Sequence, residues 1–115
     1  MNKPLHELHA TELLQCYRTR DLSPVEVTRA VLDRIAAWEP LIHATYALDA
    51  QAALAGARAS EARWLRGEPQ GALDGVPVTL KENIATAGTP TPLGSAATQL
   101  VPATQDAPAA ARLRE

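Results

Sequence analysis

A chain of 115 residues with a formal charge of −2, a pI near 5.9 and no Lys/Arg cluster long enough to follow a phosphate backbone is not built for direct nucleic-acid binding. Hydrophobic residues make up 46%, but 23 of them are Ala, Phe is absent and aromatics are 3%. Since burial stabilises by about 25 cal/mol per Å², a core built from Ala is weak, and the stretch is expected to rely on the rest of a larger protein.

Within residues 1–22, Lys3, His6, Glu7, His9, Glu12, Arg18 and Arg20 interrupt every apolar run before it reaches signal-peptide or membrane-spanning length. The single Cys16 has no internal partner for a disulfide and fits a reducing compartment, so a cytoplasmic location with no membrane association is the default. Leu5, Leu8, Leu13, Leu14 and Tyr17 recur at helical spacing and predict a first helix over about 10–19. His6 and His9 share a helical turn, but no carboxylate or cysteine completes a metal set; Cys16 reads as a small packed residue rather than a nucleophile.

The second helix, about 24–38, has the clearest local signals. Ser23 is its N-cap, Pro24 its first residue, and Glu26 closes a capping box. Val27, Val31, Ile35 and Trp38, flanked by Leu32, form one apolar stripe, with Trp38 read as a packing residue, and Pro40 is expected to end the helix. Ile42, Ala44, Tyr46 and Leu48 alternate and predict a strand over about 42–48. His43, on its other side, reads as a strand histidine rather than a general base, since no Ser or Asp is spaced to pair with it. Asp49 then caps an Ala-rich helix over about 50–66, stopped by Gly67, whose apolar side is Ala53, Leu54, Ala57, Trp64 and Leu65.

Gly67, Pro69, Gly71 and Gly75 turn the chain into Val76–Lys81, where Val76, Val78 and Leu80 alternate with Pro77 and Thr79. This pattern predicts a short strand, about 76–81, that delivers Lys81 to its C-terminal end, where α/β proteins build sites. The chain has nine Arg but only two Lys, the other being Lys3. A desolvated ammonium can release its proton and a guanidinium cannot, so a cation that must act as a base has to be Lys. Taken alone, Lys81 reads first as a solvated charge capping a strand, since most Lys sit at surfaces. From Ala85 to Val101 an irregular stretch rich in Gly, Thr and Pro follows, of the kind that is functional or disordered. Asp106 is expected to cap a last helix over about 107–115, which at Glu115 is barely two turns long.

The run Gly75-Val76-Pro77-Val78-Thr79-Leu80-Lys81-Glu82-Asn83-Ile84, with Ala87-Gly88-Thr89-Pro90-Thr91 and Gly94-Ser95 behind it, resembles the lysine-bearing segment of the amidase signature family. Ser23-Pro24-Val25-Glu26-Val27 and the Ala-rich helix resemble the N-terminal layout of the same hydrolases. One departure is Glu82, where the family usually has Asp. The resemblance implies an α/β fold: residues 1–115 as the N-terminal fragment of a single amidase signature domain, a mixed β-sheet core covered by helices and incomplete in this chain. It implies hydrolysis of carbon–nitrogen amide bonds through a Ser-cisSer-Lys triad of which only Lys81 is present, the two serines being expected beyond residue 115. Ser95, despite Gly94 beside it, reads as a loop hydroxyl. The fragment alone is then expected to be inactive. No metal or organic cofactor is needed for this route; the implied partner is a small-molecule amide substrate, with homo-oligomerisation of the full-length protein left open. Two other readings stay open: the A subunit of a tRNA-dependent amidotransferase, which hydrolyses glutamine, and a non-enzymatic interaction module.

Overall fold

Four α-helices and one 3₁₀ turn account for the regular structure of this computed structural model, which describes residues 3–115. The chain divides into two compact units, one ending at Pro77 and the other running from Val78 to Glu115.

In the first unit a 3₁₀ turn, Leu5–Glu7, leads into α1, Ala10–Thr19. The Glu12 carboxylate accepts the His9 backbone N–H at 2.7 Å, so the helix start is satisfied although His9 is a poor capping residue. Helix α2, Pro24–Ile42, begins as its sequence dictates. Ser23 Oγ accepts the Glu26 N–H at 3.2 Å, and the Glu26 carboxylate accepts the Ser23 N–H at 2.8 Å. Replacing Ser23 by Ala removes one half of this reciprocal pair and should lower stability by about 0.5–2 kcal/mol. Denaturant unfolding of the full-length variant measures this, and an unchanged midpoint would contradict it. Helix α3, Ala50–Leu65, opens where Asp49 Oδ1 accepts the Ala52 N–H at 2.9 Å and closes ahead of Gly67, which takes φ +71°.

Helix α2 packs on α3 and on the 3₁₀ turn. Leu13, Tyr17 and Val27 form the buried centre, with Leu8, Leu14, Leu22, Trp64 and Val76 against it, and the Tyr17 and Trp64 rings meet at 5.8 Å between centroids. The apolar stripe of α2 is buried only over its first turns, at Pro24, Val25, Val27 and Thr28. Trp38, expected to pack, is 43% exposed and lies under the Arg34 guanidinium at 4.8 Å.

The expected mixed-sheet α/β core is not present: among the described residues there is no strand, and the architecture is helical. Over 42–48 the reason is local. Pro40 removes only one hydrogen bond so close to the helix end, and α2 continues through it to Ile42. His43 then takes φ +46° and donates its N–H to Glu39 O at 2.9 Å, while both Glu39 carboxylate oxygens accept the Thr45 N–H, at 3.0 and 3.1 Å. The backbone donors that a ladder would use are thus consumed by a turn, and Ile42, Tyr46 and Leu48 are exposed. Residues 76–81 form no strand and have no ladder, since an alternating segment becomes a strand only beside a partner.

In the second unit, three isolated backbone bridges, Thr86 with Thr89, Ala87 with Ala103 and Pro90 with Pro102, order the irregular stretch after the lysine segment. Helix α4, Pro108–Arg114, starts one residue later than expected, with Ala107 at its N-cap position. Asp106 does not cap it, because its carboxylate is turned to the Ala87 N–H at 2.7 Å and to Arg114 Nε at 2.8 Å.

Candidate functional site around Lys81

Lys81 lies in the second unit, at the start of a turn closed by its own carbonyl, which accepts the Ile84 N–H at 3.0 Å. Its side chain is exposed, and none of the ion pairs among the described residues involves it. Nothing local to the turn gives that ammonium a structural task.

The backbone on either side of this turn is tied down by two carboxylates. Glu82 Oε2 accepts the Gly94 N–H at 3.2 Å, linking the residue after Lys81 to the turn at 92–95. Asp106 holds Ala87, and the Ala107 N–H donates to Ala85 O at 2.8 Å. Across the loop, the Gly88 N–H donates to Ala103 O at 2.8 Å and the Ala103 N–H to Thr89 O at 3.0 Å. A segment with little sequence periodicity is therefore ordered by backbone and carboxylate hydrogen bonds rather than by an apolar face.

The other candidate residues have local places of their own. Ser95 Oγ accepts the Ala97 N–H at 3.1 Å, as a loop hydroxyl does. His43 caps the end of α2, Cys16 is a half-buried free thiol on α1, and His6 lies in the 3₁₀ turn. Among the described residues no three His, Cys, Asp or Glu side chains gather in a metal-holding arrangement.

The strongest polar construction belongs to the first unit and turns on Arg63, which the sequence does not single out. Arg63 on α3 grips Asp74 in a bidentate pair, Nε to Oδ2 and Nη2 to Oδ1, both at 2.7 Å, and the Asp74 side chain is only 2% exposed. The Gln70 N–H donates to the same carboxylate at 2.7 Å, the Trp64 indole N–H to Asp74 O at 3.0 Å, and the Tyr17 hydroxyl to Gly75 O at 2.9 Å. Burial pushes the Tyr17 phenol upward. For Asp74, burial also pushes upward, but the Arg63 and Gln70 hydrogen bonds outweigh it and hold the carboxyl down at about 2. Ser60 Oγ lies near enough to favour the ionised form, yet it is buried with no hydrogen-bond partner in bonding geometry. The usable sequence signals for this knot are Asp-Gly at 74–75, a turn pair, and an indole N–H that burial obliges to find an acceptor.

A depressed carboxyl makes the first unit acid-labile in a defined window. The stabilisation from ionised Asp74 is complete above the unfolded value of about 3.9, and it is lost as pH falls through the folded value of about 2. The expected loss is roughly 2–3 kcal/mol, read as a falling urea midpoint between pH 4 and pH 2 that Asp74→Asn flattens. An equal acid slope in both proteins would contradict it.

A family model described as Amidase matches residues 26–115, the span that contains α2, α3, Lys81 and the tied loop behind it. The chain belongs to the amidase signature family. Its amidase-family relatives include the A subunit of the glutamyl-tRNA(Gln) amidotransferase of Acidothermus cellulolyticus, 50% identical over 86 residues that are 75% of this chain and 17% of the relative. The proteins of the same name from Chloroflexus aurantiacus and Salinispora arenicola are 44% and 45% identical over 91 residues, 79% of this chain in each case and 19% and 18% of theirs. The chain thus spans less than a fifth of the length of these curated relatives, and the amide-hydrolysing character is that of the family.

No helix among the described residues is long and apolar enough to cross a membrane.

Proposed function

We propose that the full-length protein is a cytoplasmic hydrolase that cleaves the carbon–nitrogen bond of small-molecule amides, with Lys81 as the base. The observation that carries this reading is the amidase-family match over 26–115, which takes in Lys81 and the whole of its flanking motif. Lys81 Nζ, in its neutral form, accepts a proton relayed through a bridging serine as a second serine, both beyond residue 115, attacks the carbonyl carbon. The new Oγ–C bond forms as the carbonyl π pair moves onto oxygen; when that oxyanion collapses the C–N bond breaks, and Lys81 returns the proton to the departing amine or ammonia. Water then attacks the acyl-enzyme ester, releasing the carboxylic acid and restoring the serine. Backbone N–H groups of a glycine-rich loop in the same downstream region hold the oxyanion. Lys81 is exposed within these residues, so the burial that favours a neutral amine is assigned to the rest of the protein.

A second reading, hydrolysis of the glutamine amide with ammonia passed to a partner, is favoured by the names of the relatives at 44–50% identity. Ammonia release by the purified full-length protein separates the two. Turnover of simple amides by the protein alone supports the first, and turnover of glutamine that needs a companion protein supports the second. No release from either substrate would overturn both.

A further inference from the structure

Two turns in the second unit meet through one carboxylate. The first, Lys81 to Ile84, carries the candidate base. The second, at 92–95, is closed by the Ser95 N–H on Pro92 O at 3.2 Å and contains two successive left-handed residues, Leu93 at φ +54° and Gly94 at φ +66°. A leucine in that region is strained by roughly 1–2 kcal/mol, so the turn needs an outside hold to keep its shape. Glu82 supplies it: its carboxylate accepts the Gly94 N–H at 3.2 Å in a solvent-exposed hydrogen bond, and a Cβ at residue 94 would stand 3.9 Å from its other oxygen, ordinary contact distance.

We infer that Glu82 is a positioning residue, a clip that holds the 92–95 turn against the backbone of the Lys81 turn and thereby fixes where Lys81 projects. This rests on the reading of Lys81 as the base. The length of the side chain is part of the inference. Aspartate withdraws the carboxylate by roughly one C–C bond, about 1.5 Å, and an acceptor moved back that far from a 3.2 Å donor is outside hydrogen-bond range. The charge is not essential to the hold, because a glutamine amide oxygen accepts the same bond.

The test uses the full-length protein with Glu82→Ala, Glu82→Asp and Glu82→Gln. In Ala and Asp, hydrogen exchange of the peptide covering residues 93–98 should speed up, and kcat for amide hydrolysis should fall about 10- to 100-fold with KM little changed, as for a misplaced catalytic group. Glutamine should restore slow exchange and most of kcat, with the pH profile in its wild-type position. Unchanged exchange in Glu82→Ala would overturn the clip. Glutamine as damaging as alanine, with a shifted pH profile, would also overturn it, because Glu82 would then act through its charge on Lys81. An inactive wild type would contradict the amidase reading instead, and the exchange pattern alone would then decide whether the clip exists.

Discussion

Replacing Lys81 by Ala in the full-length protein should lower kcat/KM for amide hydrolysis by roughly 10²- to 10⁴-fold, the usual penalty for removing a general base. The variant should stay folded, because Lys81 makes no ion pair among the described residues that its loss would break. The loss of activity follows from the family match around Lys81, and the retained fold from a side chain that makes no ion pair among the described residues. A lysine that held the loop together would lose stability and activity in parallel. A loss confined to KM would mean that Lys81 only binds substrate, and activity within a few-fold of wild type would remove it from the chemistry.

The second large effect is structural and lies at Gly75, which takes φ +85° beside the Asp74 knot. A Cβ there would sit 2.6 Å from Ser60 Oγ and 2.8 and 3.1 Å from the Pro24 ring carbons Cγ and Cβ. The proline ring is rigid, fully buried at the start of α2, and cannot swing aside. Overpacking and left-handed strain together should make Gly75→Ala less stable by about 2–5 kcal/mol. Adding Ser60→Ala removes the nearest clashing atom, and with it a buried hydroxyl that has no partner. The double variant should therefore recover part of the loss in a denaturant titration, but not all of it, because the Pro24 contacts and the positive φ remain. Full stability in Gly75→Ala alone would mean that the close approach of α2, α3 and residue 75 is not a constraint on the fold.

What the sequence reveals is governed by range along the chain. The start of α2 is legible because Ser23, Pro24 and Glu26 act within one turn, where spacing and geometry coincide. Asp49 ahead of α3 and Gly67 behind it are legible for the same reason. The strands are misread because alternation is only half of what a strand needs. At 42–48 the pattern is there, but α2 runs through Pro40 and Glu39 takes the Thr45 N–H; at 76–81 the backbone has no ladder partner among the described residues. The Arg63–Asp74 pair and the Glu82–Gly94 clip join residues 11 and 12 positions apart, the first between a helix and a loop and the second within irregular chain, which no periodicity encodes. Lys81 stands out on chemical grounds and through the motif around it, whereas the surroundings that would set its proton affinity are not written in residues 76–91.

The most direct measurement is single-turnover acylation of the full-length protein, followed by intact mass, in wild type and in Lys81→Arg. Arginine keeps the positive charge but stays protonated, so it separates a base from a cation that merely attracts substrate. If Lys81 is the base, wild type gains the mass of the acyl group while the arginine variant, equally folded, acylates at least about 100-fold more slowly. Acylation of Lys81→Arg at the wild-type rate would contradict the role given to Lys81.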